Sequence, residues 1–209
     1  MAAATSIWRR PRDAPTALIG PKAVLQLLPL IERIGGPERV AQLMAHAGLF
    51  ETPDGTRMIP EADAARLHRQ LRLEEPEMAP HLASEAGRRT ADYILAHRIP
   101  TGAQRLLTFL AAGPAAHLLS RAIARHAWTF AGSGTFRVVT PWQFEIAQNP
   151  IVQGEACATC LCHWHAAVFG RLYQILVHPD CTFQEVQCAA QQGQETCRFA
   201  LSRTAQRAR

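Results

Sequence analysis

From residue 22 onward the apolar positions fall at helical spacing. Val24, Leu27, Leu28, Ile31 and Ile34 lie three or four apart in residues 22–34, the period of one helix face. Gly35-Gly36-Pro37 predicts a stop there and a new helix starting at the proline, whose fixed φ suits a first helical turn. Ala-rich patterns of the same period recur at 61–72, 80–97, 102–111 and, past Gly113-Pro114, 115–126, so nearly all of the first 126 residues is predicted helical. The period then changes. Trp128, Phe130 and Phe136 flank Gly132-Ser133-Gly134, and residues 137–139 and 142–146 alternate, which predicts strands joined by a glycine hairpin turn. Asn149-Pro150 closes that block. Residues 154–176 return to a helical pattern that carries Cys157, Leu161, Trp164, Val168 and Ile175 and ends at His178-Pro179-Asp180. Residues 182–201 read as a hairpin, with Phe183 to Cys188 on one arm, a polar loop containing Gly193, and Cys197 to Leu201 on the other. The order helices, strands, helix, strands predicts an α+β fold, N-terminal helices packed on an antiparallel sheet. One domain is expected over residues 18–202, between flexible basic tails at 1–17 and 203–209.

Composition narrows the class. A chain of 209 residues with 48% hydrophobic content buries a core of its own. The most apolar stretch, residues 106–119, is broken by Gly113-Pro114 and His117 and is shorter than the ~20 residues of a membrane span. Trp8-Arg9-Arg10 has no apolar run behind it of the kind a secretory signal carries, so a cytoplasmic protein is expected. The net charge of +5 comes from the two ends of the chain: Arg9, Arg10, Arg12, Arg198, Arg203, Arg207 and Arg209 leave 15 bases against 17 acids between residues 13 and 197. A slightly acidic body with basic ends does not describe a phosphate-tracking groove, and no nucleic-acid partner is expected.

All six cysteines fall between Cys157 and Cys197. In a reducing compartment such a cluster means metal, redox chemistry or small buried hydrophobes rather than a disulfide framework. Cys162 on the helix and Glu185, Cys188 and Cys197 on the hairpin form a donor set suited to tetrahedral zinc. Residues three apart on a regular strand point to opposite faces, so Glu185 and Cys188 can share an ion only if the strand bulges or ends between them. Cys157 and Cys160 form a CxxC pair that, on a continuous helix, would share one face and serve equally as a packed seam. His126 beside Trp128, and His163 and His165 around Trp164, set imidazole next to indole twice. With Phe130, Trp142 and Phe144 these residues suggest a site for a flat apolar ligand with a metal centre, against the plainer reading of interior histidines and core aromatics. His163 and His165 project about 200° apart on a helix, so only one can face such a site. Neither GxGxxG nor GxxxxGK[ST] occurs, and Gly132-Ser133-Gly134 is too short to replace them.

The apolar helix with Cys162, then Glu185-Val186-Gln187-Cys188, Gly193 and Cys197-Arg198-Phe199 resembles the 4-vinyl-reductase-type domain family, with one extra residue between Cys188 and Cys197. Residues 34–37, 90–100, 126–134 and 162–169 look closest to the branch of that family serving bacteriochlorophyll biosynthesis. The resemblance implies structural zinc on the cysteine, glutamate and two further cysteines, and an α+β fold similar to TRAPP-subunit-like ligand-binding domains. It also implies a pocket between helices and sheet. The implied function is that of an accessory protein holding magnesium protoporphyrin or its monomethyl ester. Such a protein would deliver its ligand between the magnesium-chelatase large subunit and the magnesium-protoporphyrin methyltransferase, as a homodimer or a monomer, in the cytoplasm or at the photosynthetic membrane surface. The family name points instead to an 8-vinyl reductase of a chlorophyllide or protochlorophyllide intermediate, for which Cys157 and Cys160 would be the redox pair and for which no dinucleotide fingerprint is present. A module sensing a small aromatic is the third implied reading.

Overall fold

The computed structural model describes residues 17–203. Apart from Ala17 and Arg203, the two expected tails lie outside the described residues. Leu18–Ile19 (β1) pairs antiparallel with Ile59–Pro60 (β2). Between them run α1 (Lys22–Leu25) and α2 (Leu28–His46). The expected stop inside α2 is a sharp kink: Gly36 holds φ +74°, where a Cβ would be penalised, and Pro37 restarts the coil. Then come α3 (Glu61–Glu74), α4 (Ala79–His97), α5 (Thr101–Phe109) and α6 (Ala112–Arg125), each within a few residues of its expected span.

The first departure follows. Trp128–Ala131 forms a short helix, α7, where a strand is expected. Local bonds favour the coil: Thr129 donates through its backbone N–H and its hydroxyl to the His126 carbonyl, and the Ala131 N–H donates to that of Ala127. Gly132-Ser133-Gly134 is consequently the exit from this helix and not a hairpin turn. Ser133 donates from both backbone and hydroxyl, at 2.7 Å each, to the carboxylate of buried Glu61. Gly132, at φ +56°, sits so close that a Cβ there would lie 2.2 Å from Glu61 Oε2.

The sheet is antiparallel throughout. It comprises β3 (Thr135–Thr140), β4 (Gln143–Ala147), β5 (Cys181–Gln187) and β6 (Thr196–Arg203) in the order β3-β4-β6-β5. Between β4 and β5 the chain makes a 3-10 turn at Pro150–Val152 and a loop, then forms α8 (His163–Leu176). The helix expected from residue 154 thus begins nine residues late. Gly154 at φ +77° interrupts a coil, and the Cys157 N–H is committed to the Ala190 carbonyl at 2.9 Å. Cys157 and Cys160 therefore lie on a loop, not on a helical seam.

Helix α8 lies between α4 and the sheet. Gly87 permits the first contact, because a Cβ on it would sit 2.4 Å from the Trp164 carbonyl oxygen and 2.8 Å from Ala167 Cβ. Aromatic rings fill the second. Phe144 on β4 stands opposite Phe199 on β6 and stacks on Phe183 at 5.1 Å, with Phe169 and Tyr173 of α8 edge-on above. On the opposite sheet face Glu145 is clamped between its cross-strand neighbours Arg137 and Arg198, and the Arg137 guanidinium holds its carboxyl below the usual range.

Candidate metal cluster and adjoining cleft

Three structural devices converge on one point. Cys162 is the residue before the first turn of α8, and buried Asn149 donates its side-chain amide to Cys162 Sγ at 3.2 Å. The β5–β6 register shifts between Glu185 and Gln187, the bulge that lets Glu185 and Cys188 turn toward the same side. The β5–β6 turn, with Gly193 at φ +76°, absorbs the extra residue and returns the chain with Cys197 in place. One ligand atom from each of Cys162, Glu185, Cys188 and Cys197 lies within 4.8 Å of all the others. The Cys162 and Cys197 sulfurs are 3.4 Å apart and those of Cys188 and Cys197 4.0 Å. A tetrahedral zinc with bonds of about 2.3 Å to sulfur needs sulfur pairs roughly 3.8 Å apart.

The cluster is also chemically incomplete as a purely protein site. Glu185 Oε2 accepts the Cys162 N–H at 2.6 Å, while Oε1 is buried without a hydrogen-bond partner. Burial pushes the Glu185 carboxyl up to about 7 and the Cys162 thiol well above its usual range, whereas hydrogen bonds from Cys162 and Cys197 favour the thiolate of Cys188. Four acidic groups packed together without a cation carry the desolvation cost of any charge they hold, and a divalent ion offsets it. The donor set fits zinc. Cys181 is buried away from the cluster, and Cys157 and Cys160 are half-buried beside it. The Thr159 hydroxyl lowers the Cys157 thiol below its usual value, and burial raises that of Cys160 to about 11.

Next to the cluster opens a cleft of about 440 Å³, flanked by α4 and β5 and floored by α8. Cys160, His163 and Glu185 form the end nearest the sulfurs. Ala166, Ala167, Gly170 and Phe183 line its floor and far wall, and Ser84, Arg88, Arg171, Gln174, Thr182 and Gln184 supply the polar rim. Arg88 is held by Glu85 at 2.9 Å and Arg171 by Asp92 at 2.8 Å, so each guanidinium is pre-oriented.

Of the eight residues expected to bind a flat ligand, only His163 lines this cleft. The other seven do not form a cavity with it. Phe144, Trp164 and His165 are buried in filled core, and Phe130 packs edge-on against Phe136 and Phe169. Trp164 donates its indole N–H to Thr90, and His165 is bonded through Nε2 to the Phe130 carbonyl. Trp142 packs on Tyr173. His126 and Trp128 are exposed, with His126 Nδ1 bonded to the Ala122 carbonyl one turn back. Phe144, expected to line an apolar cavity, instead packs into a filled one, because Phe169, Phe183 and Phe199 occupy the space in front of it. Motif and composition do not single out Ser84, Arg88, Arg171, Gln174, Thr182 or Gln184. A signal for part of the cleft is nevertheless there: His163, Ala167, Gly170, Arg171 and Gln174 fall at helical spacing as a small and polar stripe along the otherwise most apolar helix.

The chain is 51% identical over 185 residues, covering 88% of its length and 89% of the relative, to the bacteriochlorophyll synthase 23 kDa chain of Cereibacter sphaeroides. It is 40% identical over 185 residues, covering 88% and 86%, to the protein of the same name from Rhodobacter capsulatus. No family model matches the chain. Among solved structures it resembles an Fe(II) unliganded H-NOX protein mutant from K. algicida (TM-score 0.57, 11% identity, 90% of this chain and 98% of that one). It also resembles an H-NOX from Shewanella woodyi (TM-score 0.51, 12% identity, 90% and 96%). At such identities the likeness shows the fold alone. It supports α+β, and it falls on H-NOX domains where TRAPP-like domains are expected from the sequence.

Proposed function

The chain belongs to the family of bacteriochlorophyll synthase 23 kDa chains, which gives it a role in bacteriochlorophyll biosynthesis, and from that premise we propose that it is a tetrapyrrole-binding accessory protein whose ligand site is the cleft beside the metal cluster. It holds a magnesium porphyrin, magnesium protoporphyrin or its monomethyl ester, and passes it between the magnesium-chelatase large subunit and the methyltransferase that follows. The observation that carries this reading is the chemistry of the cleft walls. A metalloporphyrin presents a flat apolar ring, carboxylates at one edge and a metal centre that accepts a further ligand. The cleft opposes these with Ala166, Ala167, Gly170 and Phe183, with Arg88 and Arg171, and with the His163 imidazole, in a volume within the range of small-ligand sites.

Zinc belongs to the same proposal as a structural part. Cys162, Glu185, Cys188 and Cys197 would hold it, fixing the start of α8 to the β5–β6 hairpin and so setting the distance between the cleft's floor and wall. Its contribution there is folding energy and neutralised charge. Burial keeps His163 below its usual pKa, and an imidazole held neutral offers a lone pair to a metal.

Titrating the protein with protoporphyrin IX, magnesium protoporphyrin and its monomethyl ester, and following the Soret band, tests the reading. Saturable binding of one porphyrin per chain in the micromolar range is expected. Loss of a divinyl spectrum that requires added NADPH would assign the reductase function instead, and no saturable shift with any of the three would overturn the carrier reading.

A further inference from the structure

Charge along the chain is segregated in sequence. Residues 93–144 contain five arginines and no Asp or Glu, whereas the rest of the span from 13 to 197 holds 10 bases against 17 acids. The acid-free segment includes α5 and α6, two helices in contact with each other. Each buries one narrow stripe, Leu107 on α5 and Ala115, Ala116, Leu119, Ser120 and Ile123 on α6, and leaves the remainder in solvent.

What faces outward is not an ordinary polar surface. Phe109 is 89% exposed and Leu106, three residues earlier on the same helix face, 54%. On α6, exposed Leu118 continues into Arg121 and Arg125 at helical spacing, and Arg105 adjoins Leu106 and Phe109. Among the described residues Arg105, Arg121 and Arg125 take part in no ion pair, unlike Arg137, which Glu145 neutralises. Exposed large apolar side chains rimmed by unpaired arginines are the composition of a surface that lies in a lipid headgroup layer. Neither helix is long and apolar enough to cross a membrane, so insertion beyond the interface is not available to them.

We propose that the α5–α6 surface docks the protein on a bilayer rich in anionic headgroups, with Leu106, Phe109 and Leu118 entering the interface and Arg105, Arg121 and Arg125 meeting lipid phosphates. The proposal stands independently of what occupies the cleft. An uncharged apolar partner would leave the arginines unanswered, and an acidic protein would leave Phe109 without an apolar contact, whereas an anionic bilayer satisfies both.

Co-sedimentation of the full chain with vesicles of phosphatidylcholine alone, or containing about 30 mol% phosphatidylglycerol, decides it. Wild type is expected to bind the anionic vesicles and to be released by high salt, since surface charge attraction is screened within a Debye length. The double variant Arg105→Gln/Arg121→Gln is expected to bind them about 25-fold more weakly, at roughly fivefold for each arginine. Leu106→Ser/Phe109→Ser is expected to lose at least about tenfold while keeping the wild-type melting temperature, because both positions are exposed. Three results would overturn the proposal: equal binding to neutral and anionic vesicles, binding undiminished in both variants, and loss in the arginine variant alone, which would leave only diffuse electrostatic attraction. Wild type that binds neither vesicle is a fourth result that overturns it.

Discussion

Replacing Cys188 by serine is expected to take the zinc content of the purified protein from about one ion per chain to near zero and to lower its melting temperature by about 10 °C. Cys188 contributes a sulfur 4.0 Å from that of Cys197, and hydrogen bonds from Cys162 and Cys197 favour its thiolate form. Without it the remaining thiols and the buried Glu185 carboxylate surround no cation. Breaking a buried charge set by removing one partner costs about 3–5 kcal/mol, and a domain of this size loses roughly 2–4 °C for each. Cys157→Ser is the control. Cys157 lies outside the four-residue set, so its variant should keep both metal and stability. Elemental analysis of protein purified without added metal gives the first number and thermal denaturation the second. A wild-type ratio near zero that stays there after refolding with zinc would remove the metal from the account.

Phe144→Asp should leave no folded population. The side chain is fully buried and ringed by Phe136, Phe169, Tyr173 and Phe183. Truncating such a ring costs about 3–5 kcal/mol. A carboxylate in its place has no partner and adds several more, which together equal the whole stability of a typical domain, about 5–15 kcal/mol. Gln143, one residue earlier, points to the other face and is half-exposed, so Gln143→Ala should change stability by less than about 0.5 kcal/mol. Circular dichroism and thermal melts of the two variants give the comparison. Equal effects would mean that β4 is displaced by one residue, because a one-residue slip exchanges its faces.

Much of this architecture is legible in the order of the residues alone. The helical spacing of residues 22–126 and the alternation around Phe144 and Phe183 depend on local periodicity, and there the expected and observed elements agree. That Cys162, Glu185, Cys188 and Cys197 meet is legible for a different reason: all six cysteines fall within residues 157–197, and the bulge between Glu185 and Gln187 that brings Glu185 and Cys188 to one side follows as a geometric condition. Failures cluster where tertiary bonds override pattern. Trp128 and Phe130 look like strand residues by composition, yet backbone bonds to His126 and Ala127 coil them and Glu61 captures the following turn from 72 residues away. The aromatic pairs mislead more seriously. Periodicity says that Phe144 faces inward, but whether the interior is empty or filled depends on Phe169 of α8 and Phe199 of β6, whose distance no local pattern encodes. The cleft is harder still, because Arg88, Arg171 and Gln184 come from three elements and meet only through the close approach that Gly87 allows.

Whether a metalloporphyrin sits in the cleft with its metal toward His163 is decided by one comparison. The affinities of magnesium protoporphyrin and of metal-free protoporphyrin IX are measured by Soret titration on wild type and on His163→Ala, with His126→Ala and His165→Ala beside them. His163→Ala is expected to weaken magnesium protoporphyrin by about tenfold or more, the 1.4 kcal/mol of a modest ligand bond, while metal-free binding changes less than about twofold, since ring contacts and carboxylate pairing survive. His126→Ala should alter neither. If His163→Ala leaves the ratio of the two affinities at its wild-type value, or if His126→Ala alone changes it, the ligand does not occupy this cleft in the way described.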